Sequence, residues 1–353
     1  MITYAHEGMS EESRHLSDLA ASYLDRDSGR GGYRAGTELG WAGIGLPEEL
    51  GGSGGSAREL AVLVEAIGYR LAASSIPWTT GVVGRLAASG PRPIADLVAS
   101  ISSGKLTVAI PVRPPARLAS GLADEIRNRR VISAEFEALG PPDAELLAVP
   151  AVLAETEGIY LVAADNPAVS LTEQSAADFT RPYLKATITD LPLADAPFVI
   201  ESALLFERWQ ALLAVMLGFD AIGSARRAFE RTIEYARIRE QFGRPIGSFQ
   251  AYKHRCATAF IELKLAQSHS FRAAGADPAL PGAMFAAASV SASSASFICG
   301  EAVQLHGGIG FTWEAGLHSH LRRARADELL IEDACQASKG LLLTRNRLRA
   351  ARE

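Results

Sequence analysis

The chain has 353 residues, 48% of them hydrophobic and 21% charged, a balance that belongs to globular proteins with a sizeable core and excludes a disordered, collagen-like or disulfide-stapled chain. The formal charge is −5 and no run of five or more basic residues occurs, so no global positive field recruits nucleic acid. Cys256, Cys299 and Cys335 are widely spaced, with neither a Cys-x-x-Cys pair nor the Cys/His spacing of a zinc site; they read as reduced, packed thiols.

The opening residues, Met1-Ile-Thr-Tyr-Ala-His-Glu-Gly, hold neither a basic nor an apolar stretch, so no export signal is expected and a cytoplasmic location is. From Ser10 to about Ser89 apolar residues recur at three- and four-residue spacing, in His15-Leu-Ser-Asp-Leu-Ala-Ala-Ser-Tyr-Leu and in Glu59-Leu-Ala-Val-Leu-Val-Glu-Ala-Ile, which predicts helices. Between them lies Gly40-Trp-Ala-Gly-Ile-Gly-Leu-Pro-Glu-Glu-Leu-Gly-Gly-Ser-Gly-Gly. It lacks the Gly-Lys-Ser/Thr ending of a phosphate loop and reads as a helix connector.

Between about Lys105 and Pro197 the period shortens. Leu106-Thr-Val-Ala-Ile-Pro-Val, Arg130-Val-Ile-Ser-Ala-Glu-Phe, Leu146-Leu-Ala-Val, Gly158-Ile-Tyr-Leu-Val and Lys185-Ala-Thr-Ile-Thr predict strands separated by proline and Asp/Asn/Gly clusters. No long helical segment intervenes consistently and no GxGxxG follows a strand, so a compact antiparallel sheet or barrel is expected rather than a βαβ sheet. Helical periodicity returns over Ser202–Arg239, Phe249–Ala274, Ala283–Leu305 and Leu321–Arg349, predicting a four-helix bundle. The uncharged stretch Pro278–Gly300 holds five serines and two prolines and reads as a bundle-core helix, not a membrane span. The expected fold is therefore α+β: a helical domain over residues 1–104, a small antiparallel β domain over 105–198, and a helical bundle over 199–353.

That order of elements, with Arg239-Glu-Gln-Phe-Gly-Arg-Pro-Ile-Gly-Ser-Phe-Gln-Ala-Tyr-Lys-His, Gln304-Leu-His-Gly-Gly-Ile-Gly-Phe-Thr-Trp-Glu and the Gly40 loop, resembles the acyl-CoA dehydrogenase family from about residue 10 to 350. The resemblance implies FAD at a dimer interface, with Arg239, Gln241, Phe242, Gln304, His306, Gly307 and Gly308 reaching the ADP half of a neighbouring subunit's flavin. The residue chemistry suits that role. Arg239 offers a planar charged donor for a pyrophosphate, Phe242 a ring to cover apolar cofactor surface and Gln304 amide bonds, while Gly307 and Gly308 let backbone N–H groups approach phosphate. His306 reads as site-lining or structural rather than as a base. His318 and His320 lack a third ligand of matched spacing and read as solvent-exposed, so no metal site is expected.

The family's reaction needs a glutamate to remove the α-proton of an acyl thioester, with its carboxylate in reach of that carbon. Carrying the family register onto Arg322-Arg-Ala-Arg puts Ile331 at one known position of that base; Glu332 falls one residue late, about 100° round a helix. The other known position falls on Leu213, about 240° away from Glu207, which reads as solvated or salt-bridged. The family's Thr-Glu-x-x-x-Gly-Ser-Asp-like loop is also absent, with Val108-Ala-Ile-Pro-Val-Arg-Pro-Pro in its place, and the middle domain looks abbreviated. Features donated to a neighbour are kept and those used within one subunit are lost. The resemblance thus points to a catalytically deficient β-type subunit of an α2β2 enzyme that desaturates a bulky acyl-CoA of the steroid side-chain kind. A full-length sibling is then the partner and an electron-transfer flavoprotein the acceptor. Two alternatives stay open: an autonomous homo-oligomer with Glu332 as base, and a non-enzymatic acyl-CoA-binding scaffold.

Overall fold

A computed structural model describes residues 11–26, 36, 39–89, 94–112, 131–153, 156–202, 204–275 and 281–350. Helix α1 (Glu11–Arg26) lies on α2 (Ala57–Arg70), which starts at a capping box. The Ser56 hydroxyl accepts from Arg58 N at 3.1 Å, and Glu59 returns a carboxylate to Ser56 N at 2.8 Å, so donors left over by the first turn are satisfied. Leu60, Leu63, Val64 and Ile67, at the predicted spacing, are buried, and so is every other residue from Leu60 to Gly68, so this helix is enclosed on all sides. The glycine loop forms two short 3₁₀ turns, Trp41–Gly43 and Glu48–Leu50, and runs straight into α2, whose N-terminus is closed by its own Ser56/Glu59 capping box. A third helical stretch runs without a break through Ile76–Trp78, a π-helical turn Thr79–Gly84 and Arg85–Ser89, and is followed by Ala95–Ser102.

Among the described residues seven strands follow: β1 (Val108–Pro111), β2 (Val131–Leu139), β3 (Leu146–Leu153), β4 (Thr156–Ala163), β5 (Val169–Gln174), β6 (Tyr183–Pro192) and β7 (Phe198–Glu201), in spatial order β5-β6-β2-β1-β3-β4-β7. All neighbours pair antiparallel except β1 and β3, which run parallel with Val108 opposite Leu146. The expectation of a wholly antiparallel sheet is corrected at this one pairing. β1 inserts between β2 and β3, and its direction is set by the chain arriving from the N-terminal helices. The segment from Arg113 to Arg130, which includes the end of the sequence standing in for the family's flavin loop, lies outside the described residues.

Four long helices complete the chain: α3 (Leu205–Ile238), α4 (Gln250–Ala274), α5 (Pro281–Leu305) and α6 (Leu317–Ala350). They pack on one another as the expected bundle. Glu157 on β4 accepts from Phe206 N at 2.9 Å and so ties the start of α3 to the sheet. Helix α2 crosses α3 so closely that a Cβ on Gly68 would sit 2.0 Å from Asp220 O, and one on Gly223 2.0 Å from Glu65 O; only glycine permits this approach. One apolar core joins the N-terminal helices, one face of the sheet and the near half of the bundle, a second fills the other face of the sheet, and a third fills the far half of the bundle. Helix α5 is the one helix among the described residues long and apolar enough to cross a membrane, and it is packed largely inside the bundle.

Candidate flavin-contact surface and the buried ion cluster

Helix α3 ends where Arg239 turns extended, and a two-residue hairpin follows, with Glu240–Gln241 paired to Arg244–Pro245. Its central residues, Phe242 and Gly243, both have positive φ, 55° and 75°, the pattern of a type I′ turn. Asparagine, aspartate or glycine normally occupies the first of these places, and a bulky L side chain there is strained. The Phe242 ring nevertheless stands 92% exposed. It lies edge-on to Phe249 at 6.1 Å, and Arg244 covers the Phe249 ring at 4.1 Å. Arg239 and Gln241 are exposed beside it, with the Gln241 amide donating to Glu240 O at 2.8 Å.

The second motif ends α5 and is brought to the first by a ring stack. Tyr235, one turn before Arg239, stacks on His306 with centroids 4.4 Å apart and planes 19° from parallel. His306 Nδ1 donates to Ala302 O at 2.7 Å. Burial holds the imidazole below its ordinary pKa, so the neutral ring keeps Nε2 as an acceptor. Gln304, Gly307 and Gly308 are exposed. A Cβ built on Gly307 or Gly308 would meet nothing within 4 Å among the described residues, so both α-carbons border open space where a ligand can approach the backbone closely. All seven residues expected to meet a flavin thus lie on one end of the bundle, six exposed and His306 half-buried. This donor set suits a pyrophosphate and an adenosine edge approaching from outside.

The two positions at which the resemblance leads one to expect a base hold hydrocarbon: Leu213 and Ile331 are both buried in the main core. Glu332 points to solvent. Of the two readings of Glu207, solvated or salt-bridged, the first is corrected: the residue is 2% exposed, because the first turn of α3 is pressed between β4 and the helical stretch Ile76–Ser89. His318 and His320 are not solvent-exposed either. His318 is half-buried and His320 fully so. Burial, with Arg231 and Arg227 nearby, pushes the His320 pKa down to about 3. No group of three or more metal-ligating side chains occurs among the described residues.

Sequence reasoning missed a cluster of five buried ionisable side chains that joins the three regions. Arg323 on α6 grips Asp220 on α3 with both arms of its fork, Nε and Nη2 each 2.7 Å from a carboxylate oxygen, and also donates to Thr180 Oγ1 and Ala72 O at 3.0 Å. Arg181, in the β5–β6 loop, pairs with Asp178 at 2.9 Å, lies 3.9 Å from Asp220 and bonds Asp327 on α6. Burial alone would raise the Asp220 carboxyl, but Arg323 beside it holds it below the ordinary range. Asp327 is pushed well above that range by burial, despite Arg181. Three carboxylates face two guanidiniums, so a proton kept on Asp327 brings the cluster toward neutrality.

Comparison with known proteins identifies the family. Residues 13–91 match the acyl-CoA dehydrogenase N-terminal domain and residues 199–330 the acyl-CoA dehydrogenase C-terminal domain. Acyl-CoA dehydrogenase IpdE2 of Mycobacterium tuberculosis is 29% identical over 340 residues, covering 91% of this chain and 93% of that protein. Acyl-CoA dehydrogenase FadE34 of the same organism is 31% identical over 300 residues; these are 81% of this chain but only 38% of that longer protein. The solved ChsE4-ChsE5 complex from M. tuberculosis superposes with a TM-score of 0.75 at 22% identity, over 97% of this chain and 98% of that one, which shows the shared fold. The chain belongs to the acyl-CoA dehydrogenase family.

Proposed function

We propose that this chain is the flavin-completing subunit of a heteromeric acyl-CoA dehydrogenase and supports α,β-desaturation of a bulky, steroid-like acyl-CoA in the cytoplasm. The observation that carries the reading is an asymmetry. Both family base positions are filled by buried Leu213 and Ile331, while the hairpin and turn that would serve a neighbour's flavin are exposed. The ChsE4-ChsE5 complex, a heteromer of the same fold, supports it by analogy. When bound, FAD supplies the acceptor for the β-hydrogen as hydride. This chain's part is to hold the far end of that cofactor: Arg239 as a charged donor to the pyrophosphate, Phe242 as a cover for its apolar edge, Gln304, Gln241 and His306 as polar contacts, and the Gly307 and Gly308 N–H groups as a phosphate seat. A full-length sibling contributes the base, and an electron-transfer flavoprotein takes the electrons.

Two substitutions test this in the complex with the sibling. Arg239→Ala is expected to lower flavin content, and unchanged stoichiometry would remove Arg239 from the site. Glu332→Gln is expected to leave turnover near the starting value; a large loss with normal folding would make Glu332 the base and the chain an autonomous enzyme.

A further inference from the structure

Next to the Gln304–Gly308 turn the surface carries a cluster that the cofactor contacts above do not use. Asp178 and Arg181 are both buried in the ion cluster, and Thr180 donates to Asp178 Oδ1 through N at 3.0 Å and through its hydroxyl at 2.6 Å. Phe179, between these anchors, is turned outward with 49% of its surface exposed. Facing it is Trp313, 68% exposed, held in a turn by Gly316 N donating to Trp313 O at 3.0 Å and Ala315 N to Thr312 Oγ1 at 3.3 Å. The two ring centroids are 5.6 Å apart. His318 packs edge-on beneath Trp313 at 4.3 Å and 6.0 Å from Phe179. Arg322, one turn further along α6, sets its guanidinium 5.4 Å from Phe179 and 5.9 Å from Trp313 while giving one N–H to Ala177 O at 3.2 Å.

Exposed aromatic rings are costly in a soluble protein unless something covers them, and these two are held in a fixed mutual orientation rather than left to pack inward. A rigid π-face beside a guanidinium is suited to a planar base carrying phosphate: the base stacks, and the planar fork pairs with the anion. We propose that Phe179, Trp313, His318 and Arg322 form a stacking platform for an adenine nucleotide. This rests on the flavin-subunit reading, which supplies two sources of that chemistry: the 3′-phosphorylated head of a CoA thioester, and the ADP half of a flavin.

Trp313 reports on the platform directly, because the other three tryptophans, Trp41, Trp78 and Trp209, are buried. The full chain is titrated with 3′-phosphoadenosine 5′-diphosphate and with ADP while the long-wavelength tryptophan emission is followed. Either nucleotide is expected to quench it. Tighter binding of the 3′-phosphorylated nucleotide assigns the platform to the thioester; equal binding, with flavin loss from the Trp313→Ala complex, assigns it to the flavin. Phe179→Ala, which leaves the reporter in place, is expected to weaken binding about fivefold or more. The proposal is overturned if neither nucleotide quenches at millimolar concentration while acrylamide does, if Phe179→Ala leaves binding unchanged, or if only a partner polypeptide quenches. A complex that carries flavin yet shows no nucleotide quenching sinks the platform alone. Quenching by a chain that acquires no flavin with any sibling sinks the subunit reading alone.

Discussion

Arg323→Met is the most informative test of what holds the three regions together. The substitution keeps most of the aliphatic stem and removes a guanidinium that is fully buried and makes four polar contacts, two of them to Asp220. Breaking a buried ion pair from one side costs about 3–5 kcal/mol because the remaining charge is left without compensation. Here the lower end applies: Arg181 still lies 3.9 Å from Asp220, and the Thr180 hydroxyl keeps its bond to Asp178. A loss of about 3 kcal/mol is expected in urea unfolding followed by circular dichroism and by tryptophan emission. Since whole domains hold only about 5–15 kcal/mol, Arg323→Lys serves as a milder companion that keeps the charge and loses the fork; it should fall between the two. Replacing Asp220 by Leu in the Met background should cost less than the two single losses together, with a coupling of about 1–3 kcal/mol. A Met variant within 1 kcal/mol of the starting protein would refute the reasoning and reduce the cluster to a packing feature.

Three further outcomes follow from the same geometry. Phe242→Gly relieves a positive φ at a hairpin centre and is expected to raise stability by about 1 kcal/mol while lowering flavin content in the complex; a gain in both would contradict the assigned role. His320 takes up its proton near 6.5 in the unfolded chain but only near about 3 when folded. Over that interval the unfolded state binds the extra proton, and stability falls as pH falls. His320→Gln should therefore move acid unfolding to lower pH, and an unmoved midpoint would argue against a neutral buried ring. Asp327 has the opposite sign: its folded pKa is raised, so its contribution is present at low pH and lost as pH rises toward that value. Asp327→Asn should flatten this decline without a large cost at acidic pH, as read from unfolding curves at several pH values.

Much of the fold was legible because periodicity changes twice along the chain. Apolar spacing placed the long helices to within a few residues of Leu205–Ile238, Gln250–Ala274, Pro281–Leu305 and Leu317–Ala350. The hairpin at Arg239 was legible as a motif, though its strained Phe242 appears only in the backbone angles. The parallel β1–β3 pairing was not legible, since strand direction depends on how the N-terminal helices deliver the chain to the sheet. The ion cluster was hidden for a related reason: Asp178 and Arg181 of the β domain meet Asp220, Arg323 and Asp327 of the bundle only after the two regions fold together, and charged residues read singly as surface. One local signal existed. Asp220 interrupts the apolar run Leu217-Gly-Phe-Asp-Ala-Ile, and Arg323 and Asp327 share a helix face with Ile331, so their burial was encoded in the helical period. His318 and His320 were misread because each side of α6 they occupy is covered: His318 packs against Trp313 and Phe179, and His320 is buried near Arg231 and Arg227.

The central claim, that this chain completes a flavin site it does not finish alone, is tested most directly by mass in solution together with flavin absorbance per chain. Both are measured for the purified protein by itself and after co-expression with a full-length sibling. The account predicts flavin only in the mixed complex, at about one flavin for every two chains. One flavin per chain in an assembly of this protein alone would contradict it.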